Sequence, residues 1–315
     1  MSVQHIAMRE AFGQALLELG RDNPRLVVLD ADVSSSTKTL DFGTQYPDRF
    51  FNLGVAEANM ADIAAGMAAC GLRPVISTFA IFLSLKCTEQ IRSTICYNHL
   101  PVVLAGGYAG VSDSFDGASH QSLADLAIMR AIPNLTVTVP GDGAEVGPCL
   151  RQALDREGPT YIRLSRNPTP ILFDRAAPFE TGKIRVLKRG RDITLAVCGV
   201  PTYMAMEAAE RLEQEGISAD LLEVSTIKPM DEAALIESVS RTNRILTIEE
   251  HTVRGGLGSA ISEVLARLHP VKTDFVGIED CFTETGPYAE LLNAYGISTE
   301  QIVLKARMLV DTKKS

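Results

Sequence analysis

Short apolar segments alternate with amphipathic ones along most of the chain, and this alternation restricts the possible folds more than any other feature. Between residues 7 and 165 it predicts six strands separated by helices, at LVVLD, FFNLG, PVISTF, VVLAGG, LTVTV and TYIRL. Apolar strands joined through helices predict right-handed crossovers and a parallel sheet that is covered on both faces. The sequence therefore predicts an α/β fold with a doubly wound sheet.

A second alternation follows an irregular segment. Residues 169–190 contain prolines and show no sustained period, so they are predicted to be a surface linker. Beyond them, strands at ITLAVCG, ISADLLEV, RILTIEE and TDFVGI again alternate with helices. A chain of 315 residues is long enough for two hydrophobic cores. We expect a first domain at 1–168 and a smaller α/β domain, also doubly wound and mostly parallel, at 191–315.

The bulk composition excludes several classes of partner. A formal net charge of −9, without a basic stripe, argues against binding to nucleic acid. The N-terminal segment lacks the features of a signal peptide, and no run approaches the roughly 18 apolar residues of a membrane span. The six cysteines lie in apolar segments without paired spacing, so they are predicted to be reduced and buried. We expect a cytoplasmic protein that does not contact membranes.

Four unusual stretches follow predicted strands, which places them on one rim of the first sheet. They are DADVSSST at 30–37, GVAE at 54–57, TFAIF at 78–82 and GGYAGVSDSFDGASHQ at 106–121. A loop as long as the last one inside a compact domain is usually functional. The rim is therefore the expected location of a ligand site.

Each candidate residue also has an ordinary structural interpretation. Glu57, in the first turn of a helix, can complement the helix dipole and cap free N–H groups. Phe79 and Phe82 can be core residues, or they can wall a pocket for a flat heterocycle. His120 can be a capping or core histidine. Arg166 can be a solvated surface residue, or it can bind a phosphate in bidentate fashion at the end of a strand.

Taken together, the motifs resemble those of the transketolase family. The matching segments, in order along the chain, are GVAEANM, STFAIF, DGASHQ, LSRN, KPMD and EEHTVRGGLGSA. The resemblance runs from about residue 7 to the end and covers the pyrimidine-binding and C-terminal domains of that family. It does not include an N-terminal diphosphate-binding domain. The chain thus resembles the C-terminal subunit of a split bacterial transketolase, which would act with a diphosphate-binding subunit in an α2β2 assembly.

The resemblance implies roles for individual residues. Glu57 would hydrogen-bond N1′ of the aminopyrimidine ring of thiamine diphosphate and so favour removal of the C2 proton. Phe82 would stack on that ring with Phe79 beside it, and Asp32 would lie at an acidic position near the cofactor and the subunit interface. The partner subunit would hold the Mg²⁺ or Ca²⁺ ion. The implied substrate-binding residues, for sugar phosphates, are Ser36, Asp116, His120 and Arg166, and His120 is also an expected catalytic residue.

Three features depart from the family pattern or imitate another motif. Leu85 stands where many transketolases have a third aromatic residue, and Tyr108 stands roughly where the family has a histidine. GDG at 141–143, with Asn167 further along, imitates the metal motif of thiamine diphosphate enzymes. We expect no metal site in this chain, because the same sheet already carries the features of a pyrimidine site. His251 is expected to be structural.

Two other functions fit the same layout. The β subunit of a 2-oxo acid dehydrogenase has a similar pair of domains and a similar glutamate. A noncatalytic assembly subunit would keep the fold without the chemistry. The DGASHQ loop, together with Ser36 and Arg166, favours a sugar phosphate substrate, and the presence of Glu57, Asp116 and His120 favours an enzyme.

Overall fold

Two helix-covered sheets form the framework of the chain. The computed structural model describes residues 4–174 and 179–311, and every structural statement below concerns these residues. The strands are β1 His5–Ala7, β2 Leu26–Asp30, β3 Phe50–Asn52, β4 Arg73–Phe79, β5 Val103–Gly107, β6 Thr136–Thr138, β7 Thr160–Arg163, β8 Pro168–Pro170, β9 Arg185–Lys188, β10 Ile193–Val197, β11 Ala219–Glu223, β12 Thr226–Lys228, β13 Arg244–Thr252 and β14 Lys272–Ile278. The α-helices are α1 Met8–Asp22, α2 Ser34–Thr37, α3 Leu40–Gln45, α4 Glu57–Ala69, α5 Ala80–Lys86, α6 Thr88–Gln90, α7 Asp125–Ala131, α8 Gly143–Asp155, α9 Thr202–Gln214, α10 Glu232–Thr242, α11 Leu257–Leu268, α12 Tyr288–Ala294 and α13 Thr299–Asp311.

The first sheet has seven strands in the order β12-β6-β7-β5-β4-β2-β3. Six strands of this sheet, β2 to β7, are parallel, and their pairings include Val28 with Val75 and Ile76 with Leu104. This confirms the predicted doubly wound α/β fold. Strands β1 and β8 form a separate antiparallel pair. Strand β12 comes from the second half of the chain and pairs antiparallel with β6 at the sheet edge. The two halves of the chain are therefore joined by backbone hydrogen bonds as well as by packing.

The second sheet has five strands in the order β14-β13-β10-β11-β9. Four are parallel, and β9 pairs antiparallel with β11. Strand β9, Arg185–Lys188, lies inside the segment predicted to be a linker, and β8 overlaps its first two residues, so that prediction is wrong for these residues. A short edge strand is only half-buried and lacks the continuous apolar run of a central strand. Residues 1–3, 175–178 and 312–315 of the predicted domains and linker lie outside the described residues.

The helical segment between β4 and β5 consists of three short elements. Helix α5 begins directly after β4, α6 follows it, and Ile91–Cys96 forms a π-helical segment. The early start of α5 matters for the site, because it places Phe82 and Lys86 four residues apart on one helix face.

The interior is continuous between the two sheets. One apolar cluster contains Ile76 and Leu104 of the first sheet together with Ala196, Leu222 and Ile245 of the second. This shared core fixes the second sheet against the first.

No described helix is long and apolar enough to cross a membrane.

The six cysteines are unpaired thiols. The prediction that all are buried is wrong for Cys70 and Cys281, which are exposed at the end of a helix and in a loop.

Candidate active site

The carboxyl ends of four parallel strands bring the candidate residues to one rim. Strands β2, β3, β4 and β5 end at Asp30, Asn52, Phe79 and Gly107, and the four motif stretches continue from these ends. Parallel neighbours end on the same edge of a sheet, and ligands of open α/β sheets bind there. The structure therefore places the motif stretches on the predicted rim.

Glu57 is buried at the first position of α4, where its carboxylate meets a lysine. Lys86 Nζ lies 2.7 Å from Glu57 Oε1, and the lysine side chain is nearly half exposed. The same ammonium lies 4.1 Å from the centre of the Phe82 ring. One cation thus touches both groups, which shows that the Glu57 carboxylate and a face of Phe82 border the same space.

An aromatic cluster adjoins this space. The rings of Phe79 and Phe82 are nearly parallel, with centroids 5.8 Å apart, and Tyr108 stacks on Phe79 at 4.2 Å. His120 meets Phe82 edge-on at 5.3 Å, and its Nδ1 lies 2.9 Å from Ser119 Oγ. The two phenylalanines therefore pack against each other, with His120 against the edge of Phe82.

The DADVSSST segment is shaped by a buried carboxylate. Asp30 accepts hydrogen bonds from Val33 N, Thr37 Oγ1 and Thr39 Oγ1 at 2.7–2.8 Å. Burial raises the pKa of Asp30, and the hydroxyl and N–H donors act in the opposite direction. This local network closes the turn that carries Ser36 toward the rim.

Asp32 is connected to the segment that leads to Glu57. Its backbone N–H donates to Asn52 Oδ1, and Asn52 Nδ2 donates to Asp32 Oδ1 at 3.0 Å. Asn52 Oδ1 also accepts from Gly54 N at 3.1 Å. Asp32 is exposed and has a φ of 65°, so a non-glycine residue holds a left-handed conformation here. Its carboxylate supports the GVAE turn and stands at the outer side of the rim.

Two arginines flank Tyr108 at the other end of the site. Arg9 Nη1 donates to Tyr108 Oη at 2.6 Å and to the backbone oxygen of Ser36 at 3.3 Å. The guanidinium carbons of Arg9 and Arg166 lie 5.6 and 5.0 Å from the centre of the Tyr108 ring. Arg9 Nε is buried and has no hydrogen-bond partner among the described residues. Ser36, Arg9 and Arg166 therefore surround one cationic corner.

A buried acid orients Arg166. Asp113 Oδ1 accepts from Arg166 Nη1 at 2.7 Å, whereas Asp113 Oδ2 is buried without a partner among the described residues. Burial, reinforced by the nearby negative charge of Asp116, raises the pKa of Asp113 to about 6, and Arg166 opposes this increase. Asp116 itself is exposed. The charge of the pair therefore changes close to neutral pH.

The structure brings most of the predicted residues into two adjoining groups. Glu57, Phe79, Phe82 and His120 form one group, and Ser36 and Arg166 belong to the cationic corner, whereas Asp32 lies at the outer rim.

Two residues were missed by the sequence analysis: Lys86 and Arg9. Lys86 is the only charged residue between Arg73 and Glu89, which is a usable signal. Arg9 lies in an ordinary amphipathic helix, and its spacing carries no such signal.

The GDG segment has a structural role. The Asp142 carboxylate accepts four backbone hydrogen bonds, two from the first turn of α8 and two from Leu172 N and Phe173 N. The Asn167 side chain donates to Ser112 O at 2.9 Å. Asp142 thus caps a helix and anchors the following segment. His251 is buried on β13 with Nδ1 2.7 Å from Thr252 O.

The chain matches two family models in sequence order. Residues 4–170 match the transketolase pyrimidine binding domain, and residues 182–302 match the transketolase C-terminal domain. This chain belongs to the transketolase family. The resemblance drawn from GVAEANM, STFAIF and DGASHQ is thereby confirmed.

Several transketolase-family relatives are similar over their whole length. A putative transketolase C-terminal section from Methanocaldococcus jannaschii is 41% identical over 310 residues, which cover 98% of this chain and 96% of the relative. A 6-deoxy-6-sulfo-D-fructose transketolase subunit from a Clostridium species is 37% identical, and the match covers 97% of this chain and 95% of that subunit. The solved structure of a split-gene transketolase, an inactive β4 tetramer, has a TM-score of 0.90 and 44% identity. The match covers 99% of this chain and 100% of that chain.

Longer relatives are also similar. A 1-deoxy-D-xylulose-5-phosphate synthase from Desulfotalea psychrophila is 37% identical over 95% of this chain, but the match spans only 47% of that synthase. The family thus contains both chains of this size and chains about twice as long.

Proposed function

We propose that this chain is the C-terminal subunit of a split, thiamine diphosphate-dependent transketolase. The reaction is the transfer of a two-carbon ketol unit between sugar phosphates. The observation that carries the proposal is the Lys86 ammonium, which lies within 2.7 Å of the Glu57 carboxylate and 4.1 Å of the Phe82 ring centre. The contact places a buried acid beside an aromatic face, and these two groups suit a flat, nitrogen-containing ring that donates a hydrogen bond to the acid and stacks on the phenylalanine.

The residues present fit the aminopyrimidine half of the cofactor. A buried carboxylate supplies an acceptor for a ring N–H, and Phe82 supplies an aromatic face for stacking. When bound, thiamine diphosphate supplies the carbon nucleophile that attacks a ketose carbonyl. The protein's task at this end is to bind and orient the ring and to hold a proton at the carboxylate of Glu57.

The remaining residues orient the substrate. His120, beside the aromatic cluster, and Asp116, on the same loop, are placed to bind hydroxyl groups of the sugars. Arg9, Arg166 and Ser36 form the cationic corner that would bind the phosphate. A phosphate bound away from the reacting carbon restricts the orientation of the substrate. The binding energy of the phosphate can in this way lower the barrier of the chemical step.

A partner subunit completes the site. In the described residues no three His, Cys, Asp or Glu side chains are grouped to hold a metal ion, so we propose that the diphosphate and its Mg²⁺ or Ca²⁺ belong to the partner. Three large apolar side chains near the site are exposed: Val55 at 73%, Leu85 at 59% and Phe115 at 68%. Exposed apolar groups of this size often mark protein contacts. We propose an α2β2 assembly, and the unpaired thiols agree with a cytoplasmic location.

The test is reconstitution. The purified chain is mixed with a diphosphate-binding transketolase subunit, thiamine diphosphate and Mg²⁺, and two-carbon transfer from a ketose phosphate to an aldose phosphate is measured. Transfer that requires both chains supports the proposal. Release of CO₂ from pyruvate or another 2-oxo acid, without ketol transfer, would instead identify a synthase or a 2-oxo acid dehydrogenase subunit. A complex that assembles but is inert with all substrates would identify a noncatalytic subunit.

A further inference from the structure

We propose that Glu250, on the second sheet, is a positioning residue for the anion-binding corner of the site. It acts by fixing the backbone of residues 108–121, which we call the substrate loop. The inference rests on the proposed function, because it assigns a role in that reaction to a residue that contacts the substrate loop but none of the predicted site residues. It also gives the second half of the chain a task beyond folding.

Glu250 is buried near the end of β13, and its contacts join the two halves of the chain. Val111 N, in the substrate loop, donates to Glu250 Oε1 at 2.8 Å. Tyr288 Oη donates to Glu250 Oε2 at 2.8 Å, and Arg163 Nη2 donates to the Glu250 backbone oxygen at 2.9 Å. The carboxylate therefore has one oxygen for the loop and one for its own domain.

The loop is shaped to receive this carboxylate. Gly110 has a φ of 65°, and a Cβ atom built on it would lie 2.2 Å from Glu250 Oε1. A side chain at this position would collide with the carboxylate as well as adopt a disfavoured backbone conformation. Gly110 thus permits the approach that brings Val111 N to Glu250.

The two residues after Val111 form hydrogen bonds with Arg166. The next residue, Ser112, accepts from Arg166 N through Oγ at 3.2 Å and from Asn167 Nδ2 through its backbone oxygen at 2.9 Å. Asp113 then accepts from the Arg166 guanidinium. Displacement of Val111 would therefore shift the two residues that hold both the backbone and the side chain of Arg166.

The far end of the loop is tied to the same domain. Gln121 Nε2 donates to Glu284 O at 3.0 Å, and Thr283 Oγ1 donates to Gln121 Oε1. Gly286 N donates to Ser114 O at 3.0 Å. Because both ends of the loop are held by the second half of the chain, its exposed middle keeps a defined position.

Stability alone is a poor reason for a carboxylate at this place. Burial raises the pKa of Glu250 to about 7, and Arg163 and the two donors oppose this increase. Replacement of a buried ionic group by a well-packed apolar residue is often neutral or stabilising, so stability does not account for a carboxylate here. Its benefit is the fixed geometry of the loop.

The experiment compares Glu250→Ala and Glu250→Gln in the reconstituted complex. Gln keeps an oxygen that can accept from Val111 N, whereas Ala removes it. Amide hydrogen exchange is measured over residues 108–121, and kcat and KM are measured with a phosphorylated and a non-phosphorylated acceptor sugar. Tyr288→Phe is the matched control, because it removes the other donor to Glu250 and leaves the Val111 contact in place.

For Glu250→Ala we expect faster exchange confined to the substrate loop and a roughly tenfold rise in KM for the phosphorylated acceptor. The non-phosphorylated acceptor should change by less than about twofold. Gln and the Tyr288→Phe control should keep wild-type exchange and selectivity. Unchanged loop exchange in Glu250→Ala, or an equal loss for both acceptors, would overturn the inference. A wild-type complex without ketol transfer but with a protected loop would reject the proposed function instead.

Discussion

Lys86 Nζ lies 2.7 Å from Glu57 Oε1, on the side of the carboxylate that borders the Phe82 ring. The ammonium thus occupies the space in which the proposed function places a pyrimidine ring. Glu57 is also held by α4, whose N-terminal dipole favours a negative charge at its first residue. The lysine and the cofactor must therefore compete for the same carboxylate.

Replacement of Lys86 by Met should strengthen cofactor binding in the reconstituted complex. The lysine of the pair is nearly half exposed, and exposed ion pairs contribute about 0.2–1 kcal/mol, so we expect a roughly 1.4- to fivefold lower Kd for thiamine diphosphate. Titration calorimetry measures this directly. Lys183→Met is the control, since Lys183 is exposed and distant in sequence from the site. Weaker binding by Lys86→Met would show that the lysine attracts the cofactor rather than competes with it.

Removal of either arginine of the cationic corner should selectively weaken the binding of phosphorylated substrates. A hydrogen bond to a charged group contributes about 1.5–3 kcal/mol, so Arg9→Ala and Arg166→Ala should each raise KM for a sugar phosphate roughly tenfold or more. KM for a free sugar should change little. The control is Arg25→Ala, because Arg25 is exposed at the amino end of β2. Unaltered discrimination between phosphorylated and free sugars would remove both arginines from the substrate site.

The Asp113–Arg166 pair predicts a pH dependence. Asp113 has a pKa of about 6, so it gains a proton as the pH falls from 7 to 5 and releases Arg166. KM for a sugar phosphate should therefore rise over this range. Because the phosphate itself titrates near pH 6, Asp113→Asn is the necessary comparison. The variant should have a high KM at pH 7 and a shallower pH profile than the wild type, and two parallel profiles would exclude Asp113 as the cause.

We expect Glu249 to make the free energy of unfolding depend on pH. Its carboxylate accepts from Leu257 N and Gly258 N at the start of α11, and burial raises its pKa to about 7 against these two bonds. The folded state then binds more protons than the unfolded state between about pH 4.5 and 7, so the free energy of unfolding falls as the pH rises.

Glu249→Gln removes this dependence. The wild type should exceed the variant in stability by a margin that narrows between pH 5 and pH 7.5, by on the order of 1–3 kcal/mol. Urea unfolding at the two pH values measures the margin. A margin that widens with pH would mean that the folded state lowers, rather than raises, the proton affinity of Glu249.

Much of the fold and part of the site follow from the sequence alone. The continuous apolar runs such as LVVLD predicted central parallel strands, and the polar residues after them predicted the rim. Strand β9 escaped detection because an edge strand is only half-buried. Arg9 escaped because its contacts to Tyr108 and Ser36 span 99 and 27 residues, and a local period carries no information about them. The same holds for Glu250, whose partner Val111 is 139 residues away.

Glu57→Ala in the reconstituted complex tests the central claim most directly, with the initial rate of two-carbon transfer as the measured quantity. The variant should assemble with the diphosphate-binding subunit as the wild type does, because the substitution lies in the proposed cofactor pocket. Its transfer rate should fall by roughly 10²–10⁴-fold, the usual contribution of a group that directs a proton transfer. An assembled Glu57→Ala complex with a wild-type rate at saturating cofactor would contradict the account.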